Sequence, residues 1–513
     1  MLVQSSSYLV PISAIALVVL LGLRLLQQYA RLKHVPGPFL AKLTNFERAY
    51  WVWTRRAHEI HINLHQEYGK IVRCGPNMVS VESGLEVEKI YRMRDPLKKS
   101  DYYHVILPMI KGKILPGLFA TQDEGMHRML KKPIAGVYSM TNMTSFEDLV
   151  DRTIGVFLNQ LDARFVNTGA ICDWGTWLQY FAFDVVGEMT FSKRLGFLEQ
   201  GKDVENIMSD IWHWFEYVAV IGQIPWADYI WAKNSTVSKL RQSRGSPMVQ
   251  FAKKREADRA LHSDTTGDYD TRDFLSRFMS AMKKDPSIPP WALTAWTSSN
   301  VLAGSDTTAI FLRTMFKNLI EHPESLKKLR QELDEAFEEG RLSKPVTWKQ
   351  SQTLPYLEAC FKEAGRIHPP FGLHLERIVP EGGLVLCGKE IPEGTIVGMN
   401  AWVVHRDRDV FGEDADSWRP ERWLESDDAT RRRMDQSLLT FGAGHRSCLG
   451  KHISYLEIYK LVPTILLEYD LELVNPDKAW KIENRWFVPQ FGFNVRLRKR
   501  SPEFNFTDVK DSC

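Results

Sequence analysis

Ten residues near the C-terminal end constrain this chain most: Phe441-Gly442-Ala443-Gly444-His445-Arg446-Ser447-Cys448-Leu449-Gly450. The glycines at 442, 444 and 450 let the backbone take positive φ and approach a flat ligand closely. A thiolate at Cys448 needs backbone N–H donors and nearby positive charge to stay ionised. Glycines expose those donors, and Arg446 supplies charge. Arg446 also offers a fork to a carboxylate of the same ligand, and Phe441 can shield the sulfur from water. Ile453 to Leu467 has helical periodicity, so Cys448 stands just before a helix N-terminus, where an anion is favoured. A lone cysteine in such a turn is more often a buried, inert thiol. A cysteine nucleophile needs a histidine base and an oxyanion hole; His445 and His452 are near in sequence, but nothing else supports that chemistry. The other cysteines are Cys74, Cys172, Cys360, Cys387 and Cys513, with no CxxC pair. That argues against a disulfide framework and a structural zinc site.

Two further segments carry polar residues in apolar-periodic runs. Glu363 and Arg366 are three apart in a helix expected over Tyr356–His368, so they share a face and can pair. Taken alone, such a pair is a surface salt bridge of little value. Pro290–His322 is the longest proline-free apolar-periodic run and spans about 48 Å as a helix. Its centre, Ala303-Gly304-Ser305-Asp306-Thr307-Thr308, is poor helix interior. It reads either as the junction of two helices capped by Ser305 or Asp306, or as a bulge in one helix over a ligand. Helical periodicity also marks Phe146–Leu161 and Ile171–Met189. Strand-like alternation is confined to Lys70–Val81, Leu384–Leu386 and Asn494–Leu497. The expected fold is mainly α with a small β-sheet region.

Phe-x-x-Gly-x-Arg-x-Cys-x-Gly, here Phe441, Gly444, Arg446, Cys448 and Gly450, resembles the haem-thiolate loop of the cytochrome P-450 monooxygenases. The resemblance runs from about Pro36 to Arg498 with the motifs in order. It implies the cytochrome P-450 fold, haem b as cofactor and Cys448 as axial ligand of the haem iron, a thiolate that favours O–O cleavage. It favours the single-helix reading of the central segment: Ala303, Gly304, Asp306 and Thr307 match the oxygen-activation motif, with Thr307 as the alcohol and Asp306 as the acid. Glu363 and Arg366 join Arg422, from Pro420-Glu421-Arg422-Trp423, in a structural triad. Arg377 is implied as a clamp on the haem propionates, as are His127 and Lys131, where the family more often has Trp and Arg. The run Gly450–Glu457 is similar to fungal members of the pisatin demethylase-like group of secondary-metabolism enzymes.

The reaction so implied is insertion of one atom of O2 into an apolar small molecule, a terpenoid, polyketide or alkaloid. Too few residues follow Cys448 for a flavin domain, so electrons come from an NADPH-cytochrome P-450 reductase. Lys451, Lys460 and Arg431–Arg433 offer it a basic docking patch. The alternatives are a reductase-independent peroxygenase or isomerase, and a non-catalytic haem-binding protein. The candidate pocket walls are Ile211–Trp231, unusually aromatic, with Asp101–Phe119, Phe371–Leu375 and Trp486–Pro489. The aromatic run reads as ordinary core or as a lid resting on a membrane.

The N-terminus sets the expected location. Met1 to Leu23 holds no charged residue, and Leu9–Leu26 is long enough to span a bilayer. The positive charges follow this segment, at Arg24, Arg31 and Lys33, unlike those of a cleaved signal peptide, and place the remainder in the cytosol. The expected organisation is an anchor over residues 1–33, a proline-rich hinge over 34–38 and a haem-thiolate monooxygenase domain over 39–513, in the endoplasmic reticulum membrane. No linker interrupts that domain; Arg255–Asp273, its most polar stretch, reads as a surface loop. With 66 basic and 63 acidic residues the charge is too balanced for a nucleic-acid binder.

Overall fold

The computed structural model describes residues 19–20, 22–110, 112–240, 246–261, 270 and 272–500. The expected anchor over Leu9–Leu26 lies largely outside them. Among the described residues no helix is long and apolar enough to cross a membrane.

The helices that shape the site are α1 (Glu124–Lys131), α2 (Glu147–Leu161), α3 (Trp174–Phe191), α4 (Ile207–Ile221), α5 (Trp291–Glu321), α6 (Pro355–Ile367) and α7 (Lys451–Glu468). The central segment forms one helix: α5 runs unbroken for 31 residues. Its hydroxyls fold back on the preceding turn, Ser305 Oγ donating to the Val301 carbonyl at 2.8 Å and Thr307 Oγ1 to that of Ala303 at 2.7 Å. That local bonding satisfies polar side chains inside a helix. Gly304 lets α3 approach, since a Cβ there would lie 2.9 Å from Val186 Cγ2. α3 is buried along almost its whole length, and with α5 it forms the centre of the helical core.

The strands are β1 (Ile71–Gly75), β2 (Met78–Val81), β3 (Cys172–Asp173), β4 (Arg377–Ile378), β5 (Ile396–Gly398), β6 (Tyr469–Leu473) and β7 (Asn494–Lys499). One mixed sheet has the order β1-β2-β5-β4. β2 runs parallel to β5 with Met78 opposite Ile396, and β4 antiparallel to β5 with Arg377 opposite Val397, which fixes Arg377 at the sheet edge. A second sheet, β6-β7-β3, closes the far end. The proline-rich segment 34–38 is docked rather than free. Val35 is fully buried, and the Pro36 carbonyl accepts from the Arg73 backbone N–H at 2.6 Å.

Two surface expectations fail. The stretch from Arg255 is helical up to Leu261, in a helix over Pro247–Leu261. Ala, Lys, Arg and Glu dominate it, and they are good helix formers despite their polarity. Arg259 turns inward to pair with buried Asp273. Lys460 does not belong to a surface patch: its side chain is fully buried on α7 and pairs with Glu147 and Asp151 of α2, the latter at 2.9 Å.

Candidate active site

A cavity of about 330 Å³ lies between α4, α5 and the loop before α7, a volume typical of small-molecule sites. Cys448, Phe441, Gly442 and Gly450 line it from the loop. Ala303, Gly304 and Thr307 line it from α5, and Ile211, Trp214 and Phe215 from α4. Ile106, Leu115, Phe119, Phe371, Leu375, Trp486 and Phe487 complete the apolar wall, so all four expected segments reach it. The aromatic run divides: Ile211 and Phe215 are core, whereas Trp226, Ile230 and Trp231 are exposed.

The loop is a closed turn. The Cys448 N–H donates to the Phe441 carbonyl at 2.8 Å. Gly442 and Gly444 take φ of +64° and +65°. At Gly444 a Cβ would sit 2.1 Å from the Tyr91 carbonyl oxygen, so only glycine fits. Gly450 departs from the positive-φ expectation: its φ is −83°, and it caps α7. Its lack of a side chain instead leaves the cavity wall bare. The Phe441 ring packs against Tyr455 at 5.3 Å. Cys448 is exposed toward the cavity, yet desolvation by the enclosing loop pushes its thiol up, against the Gly450 and Lys451 N–H groups and the Lys451 charge. A cation at the sulfur would reverse that, since a coordinating thiol is deprotonated.

Five basic side chains line one edge of the cavity: Lys99, His127, Lys131, Arg377 and Arg446. Lys99 is 2% exposed, and its ammonium lies 4.1 and 4.2 Å from the ring centres of Tyr103 and Phe119. Burial, then Arg377 and Arg446, pushes it well below the usual lysine range. His127 is pushed down to about 3 by burial, then by Arg446 and Lys131; its Nδ1 has no hydrogen-bond partner among the described residues. Arg377 Nη1 donates to its own chain at Glu376 O, 2.8 Å away, and reaches Tyr103 Oη at 3.4 Å. Lys131 Nζ donates to the His445 carbonyl at 3.0 Å. The nearby carboxylate, Glu124, is taken by Arg446 at 2.7 and 3.0 Å. So much buried like charge is costly unless a polyanion enters. The bare loop, the thiol and this cationic edge therefore fit a flat dicarboxylate bearing a metal ion, which is haem. Lys99 belongs to no motif in Lys98-Lys99-Ser100, and only the fold brings it to this edge.

The triad assembles as a buried network. Glu363 accepts from Arg366 at 2.7 and 2.8 Å, from Arg422 at 3.1 Å, from Trp423 at 3.0 Å and from the Arg419 N–H at 2.9 Å. Its link to the loop is His405, which bonds the Arg366 carbonyl at 3.0 Å and accepts from the Leu439 N–H at 2.7 Å.

Asp306 and Thr307 face different ways. Thr307 lines the cavity. Asp306 is 1% exposed and points behind α5, where its Oδ1 accepts from Gln179 of α3 and from Trp212 of α4, the latter at 3.0 Å. Burial pushes its carboxyl up to about 6 against those donors and Arg313. Gln179 and Trp212 carry no sequence signal for this role, because both read as ordinary core positions.

The family model for Cytochrome P450 matches residues 34–497. A cytochrome P450 monooxygenase of Aspergillus terreus is 54% identical over 88% of this chain and 93% of the relative. Cytochrome P450 monooxygenase cicH of Emericella nidulans is 52% identical over 92% of this chain and 94% of the relative. Cytochrome P450 monooxygenase pkfB of the same species is 47% identical, with 93% and 94% covered. With the thiol loop, the cationic edge and the buried triad in one fold, the chain belongs to the cytochrome P450 family, as a haem-thiolate monooxygenase.

Proposed function

We propose that the protein inserts one oxygen atom from O2 into an apolar small molecule of fungal secondary metabolism, with electrons from an NADPH-dependent reductase. The observation that carries this is that Cys448 and Thr307 line one largely apolar cavity with a cationic edge. Relatives from Aspergillus and Emericella support the fungal assignment. The anchor over Leu9–Leu26, in an endoplasmic reticulum membrane with the catalytic domain in the cytosol, stays part of this reading on the strength of sequence. So does a docking patch from Lys451 and Arg431–Arg433, without Lys460.

Cys448 would hold haem b through its thiolate, and Lys99, His127, Lys131, Arg377 and Arg446 would hold its carboxylates. When bound, the haem supplies O2 activation and oxidation of a substrate C–H bond. The protein does the rest. Phe441, packed against Tyr455, walls the loop beside Cys448, whose own surface opens to the cavity. Trp214, Phe215, Phe371 and Phe487 position an apolar substrate and exclude water. Thr307 presents a hydroxyl to the cavity, and Asp306 holds a transferable proton on Oδ2. A reduced, carbon monoxide-bound difference spectrum beside Cys448→Ala tests the ligand. NADPH consumption with reductase, matched to product across candidate terpenoids, polyketides and alkaloids, tests the reaction. A histidine-type Soret band in folded protein would refute the proposal.

A further inference from the structure

At the outer rim of the cationic edge, two elements bring three ligand-type atoms together. Asp123 caps α1, its Oδ1 accepting from the Met126 N–H at 2.6 Å. That start places Glu124 and His127 one turn apart, at i and i+3 on one helix face. The thiol loop supplies His445, whose N–H donates to the Arg92 carbonyl at 3.1 Å. Glu124 Oε2 stands 3.6 Å from His127 Nδ1 and 3.6 Å from His445 Nε2. One ligand atom from each residue lies within 4.8 Å of the other two. The two imidazole rings meet edge to face with centres 5.1 Å apart.

The 3.6 Å gaps exceed a hydrogen bond. They match the edge of a tetrahedron around zinc, whose bonds of about 2.0–2.2 Å put neighbouring ligand atoms about 3.3–3.6 Å apart. His127 supplies a second, independent sign. It is 3% exposed, and its Nδ1 is buried with no hydrogen-bond partner among the described residues, a state that buried polar atoms rarely keep. That nitrogen faces Glu124, while the ring also lines the cavity. Both imidazoles are held below the usual histidine range by burial first and neighbouring cations second, His127 down to about 3. Neutral near physiological pH, they need lose no proton to bind a metal. Outer partners that orient metal ligands are also in place. Arg446 holds Glu124 Oε1 at 2.7 and 3.0 Å, which leaves Oε2 for an ion, and Lys131 holds the His445 carbonyl at 3.0 Å. The side chains of Glu124 and His445 are 32% and 36% exposed, which gives an ion a path from solvent.

We propose that Glu124, His127 and His445 bind one divalent ion of the zinc class, which clips α1 to the thiol loop across the outer rim of the cofactor edge. Two imidazoles and one carboxylate favour zinc over magnesium and calcium, which take oxygen ligands. Three protein ligands leave a fourth position for water. Arg446 and Lys131 oppose a dication, and Glu124 with the cofactor's carboxylates offsets them, so the affinity of the haem-loaded protein should be on the order of micromolar. With Nδ1 on the ion, His127 keeps its proton on Nε2, where it can donate at the cavity edge. The clip rests on the reading of this edge as the cofactor's; the metal site does not.

The test is a calorimetric zinc titration of the untagged, haem-loaded protein, with haem transfer to apomyoglobin followed in the presence and absence of zinc. We expect one zinc site in the wild type, not displaced by excess magnesium. His445→Gln, at a partly exposed position outside the carboxylate clamp, should weaken it at least about tenfold and leave haem content unchanged. Glu124→Gln keeps an acceptor for Arg446 and should weaken it as far. At free zinc about ten times its dissociation constant, wild-type haem transfer should slow about tenfold, because haem leaves through the unclipped state; in His445→Gln it should not slow. A wild type without a stoichiometric zinc site would overturn the proposal. So would displacement by magnesium, or zinc binding of unchanged strength in both variants, which would place the ion elsewhere. Zinc bound at these residues with haem transfer unslowed would overturn the clip.

Discussion

Glu363→Gln should be the most damaging isosteric change outside the cavity. The side chains of Glu363 and Arg366 are 0% exposed and that of Arg422 is 1%. One carboxylate satisfies two guanidiniums, an indole and a backbone N–H. The amide keeps the shape, removes the charge and turns an NH2 toward a donor. Two buried cations are then left with weakened partners, and breaking a buried pair costs roughly 4 kcal/mol. That is a large part of the about 5–15 kcal/mol that holds a protein folded. For a chain of this length the entropy of melting is about 1 kcal/mol per kelvin, so the melting temperature should fall by about 4 °C. The effect should reach the active site, because His405 ties Arg366 to Leu439 just ahead of the thiol loop. Haem retention and the thiolate-type carbon monoxide band should decline together with the melt. The control is Glu358→Gln on the same helix, 56% exposed and paired with Lys362, expected to cost less than about 0.5 kcal/mol. A Glu363→Gln melt within about 1 °C of wild type, or equal losses in both variants, would refute the argument that this network stabilises the loop.

Four other outcomes follow from the site. Cys448→Ser should abolish the thiolate-type Soret band while leaving helical content unchanged; a retained band would place the ligand elsewhere. Gly444→Ala sets a methyl 2.1 Å from the Tyr91 carbonyl oxygen at positive φ, so it should cost about 3 kcal/mol or more and cut haem incorporation, read as the ratio of Soret to protein absorbance. Lys99→Met removes a buried cation from the carboxylate edge and should speed haem transfer to apomyoglobin about tenfold; an unchanged rate would remove Lys99 from the cofactor site. The Asp306 carboxyl is raised from 3.8 to about 6 by burial, so the folded state keeps a proton that the unfolded state loses. The Asp306 contribution to stability should therefore fall as pH rises from about 4 to about 6, so the stability gained by Asp306→Asn over wild type should grow across that window to about 3 kcal/mol at neutral pH; a difference between the two that does not change with pH would contradict the raised value.

The sequence disclosed those parts of the site whose chemistry needs a fixed local pattern. The loop around Cys448 is such a part, because positive φ at Gly442 and Gly444 demands glycine and the thiol must follow at a set distance. So is the Glu363–Arg366 pair, three residues apart on one helix face. Helix α5 was legible from period and length, although its polar centre left two readings open until the Ser305 and Thr307 hydroxyls were found bonded to the turn before. Side chains defined by long-range packing were not legible. Lys99 reaches the cationic edge only because its segment pairs with Arg377 in an antiparallel bridge. Lys460 looks like a surface cation in sequence and is buried, because two acids of α2 meet it. Charge in the one-dimensional string says nothing about which face of a packed helix it will occupy.

The two halves of the site solve opposite electrostatic problems. At the loop edge the protein gathers five basic groups in a partly buried strip, with burial holding His127 neutral and disfavouring the charge of Lys99, an arrangement relieved by a ligand with two carboxylates. The strip thereby couples folding of the site to loading of its cofactor. Behind α5 the protein keeps one carboxyl among apolar rings, with donors on a single oxygen, an arrangement unfavourable to the ionised form alone. Burial raises that carboxyl to about 6, so it holds a proton for part of the time near neutrality. Adjacent positions in the chain, Asp306 and Thr307, therefore end on opposite sides of the Phe215–Phe487 wall. The hydroxyl belongs to the cavity and the acid to the packed polar cluster of Gln179 and Trp212 behind α5. Proton delivery to the cavity then requires the Asp306 side chain to leave Gln179 and Trp212. Weakening those two donors, as in Trp212→Phe, should change the pH profile and solvent isotope effect of turnover before it changes substrate affinity. A Trp212→Phe enzyme that lost substrate affinity alone would place Trp212 in the substrate wall instead.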